Sequence, residues 1–198
     1  MNIDEFDAAA HLWVGISSFF LTRFDVALAS TERAVELSPN FAMARSFRGL
    51  VYGFTGHPEE GIEEAPIGRV DETVGKVTAT RVDGTRVTLN KDSYVFQGDI
   101  LETGAGGAVA VVFIDETEFS LGEDGRMVLD ELIFDPTSLE GSSTFSVIQG
   151  VFVFVSGEVA ANNPDEMIVR TPVATLGIRG TKVAGKAAAE GALNTVTM

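Results

Sequence analysis

The sequence predicts an α+β protein built as two separate parts, N-terminal helical hairpins followed by an all-β domain. Up to residue 65, apolar residues recur with helical spacing, as at Leu12, Ile16 and Phe19. From residue 66 onward, glycine becomes frequent and short β-branched runs alternate, as in KVTATRV and GVFVFVSG. We therefore expect a helical segment over residues 1–65 and an all-β domain over residues 66–198.

The composition is that of a globular protein with a strong negative charge. Apolar residues make up 45% and charged residues 22% of the chain, an ordinary balance for a packed domain. The formal net charge of -15 argues against a nucleic-acid partner, because binding phosphates requires clustered Lys and Arg. The chain has no cysteine, which excludes disulfides and zinc-thiolate sites.

Neither a membrane-spanning helix nor a secretory leader is predicted. The most apolar early run, from Leu12 to Leu21, is about half as long as the roughly 20 residues that a membrane span needs. The start, MNIDEFDAAAHLW, has acidic residues where a signal peptide needs positive ones. Judged by this feature alone, the expected location is the cytoplasm.

The helical part contains an internal repeat. Gly15 and Gly49 are 34 residues apart, and RFDVALASTERAVELSPN contains small residues at Ala27 and Ala34 before Pro39. Small residues allow two antiparallel helices to approach closely, and the proline ends the second helix. The pattern resembles the tetratricopeptide repeat over about residues 8–65, which implies a groove that binds a peptide.

This repeat departs from the family pattern in ways that leave an alternative open. Arg45 and Arg48 stand at positions that are usually aromatic and Leu, respectively. Only about one and a half to two repeats fit, whereas a solenoid generally needs about three. A generic helical cap that binds nothing specific is therefore an equal alternative to a working groove.

Turn signals divide the β half into short strands. Asp83-Gly84 and Asp124-Gly125 each stand between alternating runs, a pattern typical of β-hairpins. Short strands at a spacing of roughly 8 to 12 residues favour a sandwich, a roll or a short β-solenoid.

Four stretches of the β half occur in an order that resembles the FecR-like domain. They are VGKVTATRVDGTRVTL, FQGDILETGAGGAVAVVFIDETEFSLGED, VIQGVFVFVSG and TPVATLGIRGT. The resemblance covers about residues 74–185, and the last stretch carries most of it. The structural signature residues that it implies are Gly98, Asp99, Thr171, Pro172, Gly177, Arg179, Gly180 and Thr181.

The resemblance implies a non-enzymatic interaction or structural module of a bacterial envelope or surface-associated protein, with a protein partner. It also implies a location in the envelope or outside the cell, which the leaderless start does not favour, so the location stays open. The alternative function is a cytoplasmic tetratricopeptide-type adaptor that binds a protein partner. Neither function uses nucleic acid or a transmembrane segment.

No cofactor, metal or catalytic site is predicted. The stretch ETGAGGAV lacks the Lys-Ser/Thr of a phosphate loop and opens a strand. The acidic pairs Asp115-Glu116, Glu123-Asp124 and Asp130-Glu131 match no calcium loop, so we expect solvated turns there. No nucleophile and base stand in a recognisable pair, and no enzymatic activity is therefore expected.

Arg179 is expected to be a structural clasp. In LGIRGTKV, alternation places Leu176, Ile178 and Val183 on one side, and Gly177 and Gly180 permit a bend around the arginine. A guanidinium can hold a carboxylate in fork geometry. We expect Pro172 to start the strand and Arg179 to pair with an acid such as Asp99 or Asp115.

Overall fold

The computed structural model describes residues 3–180, 182–189 and 192–197. The chain divides into two compact units, Met1–Pro66 and Ile67–Met198. The first unit is helical, and the second is a large, curled, mostly antiparallel β-sheet, which confirms the predicted α+β class. Within the described residues, no helix has both the length and the apolar character needed to cross a membrane.

The described residues of the first unit form three long helices and one short helix. They are α1 (Ile3–Phe20), α2 (Phe24–Leu37), α3 (Ala42–Thr55) and α4 (Pro58–Glu63). Helix α2 ends at Leu37, two residues before Pro39, whose missing N–H cannot continue a helix. Helix α3 ends at Thr55 and is capped by Gly56. Gly56 adopts a left-handed conformation with φ +87° and donates its N–H to the carbonyl of Tyr52.

The two glycines of the predicted repeat both lie at close helix contacts. A Cβ on Gly15 would stand 2.7 Å from Cγ2 of Thr31. Helices α1 and α2 therefore lie so close here that the Thr31 side chain fits only against a glycine. A Cβ on Gly49 would stand 2.7 Å from the carbonyl oxygen of Gly61, next to α4. The 34-residue spacing therefore corresponds to equivalent packing positions in the two helix pairs.

A buried ion-pair network holds the end of the helical unit. Glu64 accepts a hydrogen bond of 2.6 Å from Arg48, and its other carboxylate oxygen lies 3.3 Å from Nε of Arg45. All three side chains are largely buried. The two arginines that depart from the repeat pattern thus neutralise one buried carboxylate, a charge that would be very unfavourable without partners.

The second unit contains thirteen strands among its described residues and one short helix, α5 (Glu158–Asn162). The strands are β1 (Pro66–Val74), β2 (Val77–Thr80), β3 (Arg86–Thr88), β4 (Tyr94–Phe96), β5 (Ile100–Thr103), β6 (Ala108–Phe113), β7 (Glu118–Leu121), β8 (Arg126–Asp135), β9 (Glu140–Val155), β10 (Met167–Arg170), β11 (Thr175–Gly177), β12 (Lys182–Ala187) and β13 (Thr195–Thr197).

The long strand β9 organises the sheet. The main order is β3-β2-β5-β8-β9-β7-β6-β1-β4, and β9 also pairs with β10 and β12. Its first part pairs with β8 and β10, and the part beyond Gly150 pairs with β7 and β12. The curled sheet is closest to the roll among the three architectures that the sequence left open.

One of the two expected hairpins forms and the other does not. Asp83-Gly84 connects β2 and β3, which pair with each other, and the side chain of Asp83 accepts the N–H of Thr85. Asp124-Gly125 connects β7 and β8, but these strands lie on opposite sides of β9. The prediction of a hairpin at Asp124-Gly125 is wrong because β9, which comes later in the chain, lies between β7 and β8.

Phenylalanines from several strands form the centre of the β core. Phe119 stacks against Phe152 and Phe154 with ring centroids 6.2 and 6.3 Å apart, and Phe113 lies 4.8 Å from Phe145. All five rings are buried in one continuous cluster. Their alternation with outward residues along β6, β7 and β9 determines which residues the sheet presents to solvent.

Candidate interaction surface

The predicted signature residues Gly98 and Asp99 lie in the tight turn between β4 and β5. Gly98 has φ +79°, and a Cβ there would clash with Cγ2 of Val82. Its N–H donates to the carbonyl of Leu129 at 2.7 Å, and the N–H of Leu129 returns to the carbonyl of Asp99 at 2.9 Å. The turn is therefore fastened to β8 by backbone hydrogen bonds, in a conformation and a space that suit only glycine.

Asp99 is the centre of a buried polar cluster that the sequence analysis did not anticipate. Its carboxylate forms an ion pair with Arg81, and both side chains are only 1% exposed. The same carboxylate accepts the N–H of Phe96 at 2.9 Å. Arg81 also donates to the carbonyl of Tyr94 at 3.3 Å, and its guanidinium lies 4.6 Å from the ring centroid of Phe96. These contacts hold the end of β2 to the turn after β4.

Asp115 anchors a second turn. Its two oxygens accept the N–H and the hydroxyl of Thr117 at 3.1 and 2.8 Å, and the hydroxyl oxygen of Thr117 accepts the N–H of Gly157 at 3.0 Å. The carbonyl of Asp115 accepts the N–H of Glu158 at 2.7 Å. Asp115 therefore connects the β6–β7 turn to the start of α5 and is fully buried, in contrast to the solvated turn expected from the sequence.

The other acidic pairs serve local structure. Glu123 accepts the N–H of Gly106 at 3.0 Å, and Glu131 accepts the hydroxyl of Ser142 at 2.8 Å. Across the described residues, no three His, Asp or Glu side chains come together in a group that could hold a metal ion.

The last signature stretch forms a turn, a short strand and a bend. Pro172 lies in the turn between β10 and β11, which Thr171 closes through hydrogen bonds with Ala174, so the expectation that Pro172 starts the strand is wrong. Its ring fixes φ for the turn and its missing N–H is not needed there. Ile178 and Val183 are buried in the core, and Leu176 packs against it, on the side that the alternation predicted.

Arg179 makes a different contact from the one expected. It donates to Asp165 at 2.8 Å, with both side chains more than 70% exposed. Asp99 and Asp115 do not pair with it, because Arg81 and Thr117 bind those carboxylates inside the β unit. Gly177 and Gly180 flank the bend, with φ +61° at Gly180, and Thr181 lies outside the described residues.

One outward side of the sheet has exposed valines at its centre, with charged and small residues around them. We call it the valine face: the outward side chains of β12, β9, β7, β6 and β1. Cross-strand pairing places Ala184, Val153, Ser120 and Ala110 in one row and Lys182, Val155, Glu118 and Val112 in the next. Val151 is 53% and Val74 is 51% exposed. An apolar patch of this kind is typical of an interaction surface.

The helical unit also presents apolar residues to solvent. Trp13 and Phe20 of α1 and Phe54 of α3 are each more than half exposed. Near Phe54, a groove of about 660 Å³ is lined by Gly49, Leu50, Gly53, Phe54, Pro58, Gly61 and Ala65. The lining is almost entirely apolar, which suits an apolar side chain of a partner.

Comparisons with known proteins relate the β unit to one family. The family model described as "FecR protein" matches residues 99–198. A solved structure described as "Cell surface anchoring domain" is 30% identical over 31% of this chain and 80% of that chain, with a TM-score of 0.30, which is too low to support an argument. No curated protein matches the chain.

Proposed function

The chain belongs to the FecR family, and from this premise we propose that it is a non-enzymatic interaction or structural module of a bacterial envelope or surface-associated protein. FecR-like domains are protein-interaction modules, so the expected ligand is another protein. The β unit provides the surface, and the helical unit precedes it as a tetratricopeptide-like segment over residues 1–65.

The observation that carries this proposal is the valine face. Along β9 its outward positions are Val151, Val153 and Val155, with Ala184 and Ser120 beside Val153, where an antiparallel sheet open to water normally has polar and charged residues. The charged residues Lys182, Lys186 and Glu118 flank this line of valines. Folding alone does not require these apolar side chains, because the phenylalanine core lies on the opposite side of the same strands. Val151 and Val155 are only partly exposed, so burying either against a partner would contribute about half of the roughly 1.5 to 3 kcal/mol of a fully exposed side chain.

The non-enzymatic part of the proposal is supported by what the buried polar groups do. Asp99 and Arg81 neutralise each other inside the fold, and Asp115 accepts hydrogen bonds within its own turn. These are the buried carboxylates that a catalytic role in the β unit would most readily use, and both are engaged in holding turns.

A second candidate function is a cytoplasmic tetratricopeptide-type adaptor that binds a protein partner. The groove beside Phe54 favours it, because no atom lies within 4 Å of the Cβ position of Gly53, and an inserted apolar side chain could fill this space. The equivalent packing positions of Gly15 and Gly49 also support a repeat-like helical unit.

Crosslinking in cells would test the two candidates against each other. Tagged full-length protein is compared with Val151→Glu, which charges the valine face, and Phe54→Ala, which empties the edge of the groove. Both residues are exposed, so each variant should keep its fold, which circular dichroism checks. A captured partner that is lost only with Val151→Glu supports the β-unit module. Loss only with Phe54→Ala supports the adaptor, and partner capture unaffected by either change would contradict both surfaces.

A further inference from the structure

The valine face contains two opposite charges placed symmetrically about its central strand. On β9, Val155 pairs with Lys182 of β12 on one side and with Glu118 of β7 on the other. Adjacent strands are about 4.8 Å apart, so the two charged residues lie at equal distances from Val155 in the same row. Val151, Val153 and Val155 form the line between them.

These charges are not used inside the molecule. In the part of the chain that the structure describes, neither Lys182 nor Glu118 makes an ion pair or a side-chain hydrogen bond, and both are exposed. Lys186, four residues after Lys182 on the same side of β12, is also exposed and makes no ion pair or side-chain hydrogen bond among the described residues. The face therefore presents two lysines on one side of the β9 valines and one glutamate on the other.

We propose that this face binds a second copy of the chain around a two-fold axis that runs along β9. A two-fold interface uses the same patch on both molecules and must be self-complementary. The rotation exchanges the β12 and β7 sides, so Lys182 of each copy faces Glu118 of the other, and the β9 valines face each other across the axis. The inference rests on the proposed function, which assigns this face to protein binding, and it names the partner.

The local charge of this face permits a second copy of so acidic a chain to approach it. With a net charge of -15, two copies repel each other in most orientations. The β12–β9–β7 part of the valine face has two lysines and one glutamate, so its local charge does not oppose association. The small residues Ala184 and Ser120 beside Val153 allow two sheets to approach to the usual distance of about 10 Å.

The predicted association is weak. The three strands span only about 10 Å from centre to centre. The surface that they present is therefore small compared with the roughly 800 Å² that each partner buries in a stable complex. We therefore expect a monomer–dimer equilibrium that shifts with protein concentration in the micromolar range, on the order of 10 to 100 µM.

Sedimentation velocity of the full-length chain over about 5 to 500 µM tests this equilibrium, since that range spans the expected dissociation constant. The wild type should shift from monomer to dimer as the concentration rises. Lys182→Glu and Glu118→Lys should each raise the dissociation constant by about tenfold or more, because each places like charges opposite one another. The double variant Lys182→Glu with Glu118→Lys should restore dimerisation, because the two opposite charges are simply exchanged.

Two further variants separate this interface from a general effect of surface charge. Val155→Glu places two like charges on the axis and should give a monomer, whereas Val173→Glu changes a similarly exposed valine outside the face and should dimerise like the wild type. Thermal melts confirm that each variant is folded.

A wild-type chain that stays monomeric throughout this range, or a folded double variant that fails to recover dimerisation, would overturn the proposal. Neither outcome contradicts the proposed function, because the crosslinking experiment detects another protein at this face even when the chain does not self-associate. Loss of that partner in Val151→Glu together with a strictly monomeric wild type would assign the face to a heterologous partner.

Discussion

Arg81 and Asp99 form an ion pair that is almost completely withdrawn from solvent, although the two residues are 18 positions apart and come from different turns. The pair connects the end of β2 to the turn between β4 and β5. Because removing one member leaves the other charge buried alone, Asp99→Asn should lower the free energy of unfolding by about 3 to 5 kcal/mol.

Urea denaturation monitored by far-UV circular dichroism, which reports the strand content, would measure this loss in the β unit. Arg86→Ala is the matched control, since Arg86 pairs with Glu102 at 2.8 Å but is mostly exposed. Its removal should change stability by at most about 1 kcal/mol. Equal losses in the two variants would show that burial of the Arg81–Asp99 pair does not matter.

Strand alternation in the sequence indicates that Arg81 points into the core. In KVTATRV, Val77 and Ala79 are buried, and Arg81 follows on the same side of the chain. A charge at an inward position requires a buried partner, but nothing local identifies Asp99 as that partner. The alternation VFVFV gave a comparable signal for the valine face, since both sides of that strand are apolar.

The strand order could not be predicted in the same way. Helical and strand periods are local properties, so the change near residue 66 predicted the α+β class. Pairing is not local: Asp124-Gly125 has the residues of a hairpin turn, but β9 separates β7 from β8. The contact between Arg179 and Asp165 was missed for a related reason, because several carboxylates satisfy the same chemistry and only the fold selects among them.

Gly98→Ala should destabilise the β unit through two separable effects. The positive φ costs about 1 to 2 kcal/mol for any residue with a Cβ, and the contact with Val82 adds to it. Gly84→Ala provides the control, because Gly84 has φ +84° and no atom near its Cβ position.

Chemical denaturation of these two variants, and of Gly98→Ala with Val82→Ala, separates the effects. Gly98→Ala should be the less stable of the two single variants, and shortening Val82 should recover the difference. If Gly84→Ala and Gly98→Ala were equally stable, the close approach to Val82 would have no energetic importance.

Two glycine-to-alanine substitutions in the helical unit should change stability in opposite directions. Gly15→Ala should lower stability because its Cβ would meet Thr31, at 2.7 Å from Cγ2. Gly53→Ala should raise stability by about 0.5 to 1 kcal/mol, because the position is helical and its Cβ would meet no atom within 4 Å. Thermal unfolding monitored at 222 nm, the helical wavelength, would show the two shifts, and a stabilising Gly15→Ala would argue against the close α1–α2 contact.

Arg179→Ala should have little effect on folding. The pair with Asp165 is exposed on both sides, and such pairs contribute about 0 to 1 kcal/mol. The melting temperature should therefore fall by far less than in Asp99→Asn. A loss as large as that of the buried pair would show that Arg179 is the structural clasp that its place between two glycines suggests.

Fractionation of the tagged full-length protein tests the proposal that this FecR-family chain works in the bacterial envelope or at the cell surface. The protein should be recovered with the envelope or in the medium, in fractions that lack a cytoplasmic marker enzyme. A pool confined to the cytosolic fraction together with that marker would contradict the claim and favour the adaptor.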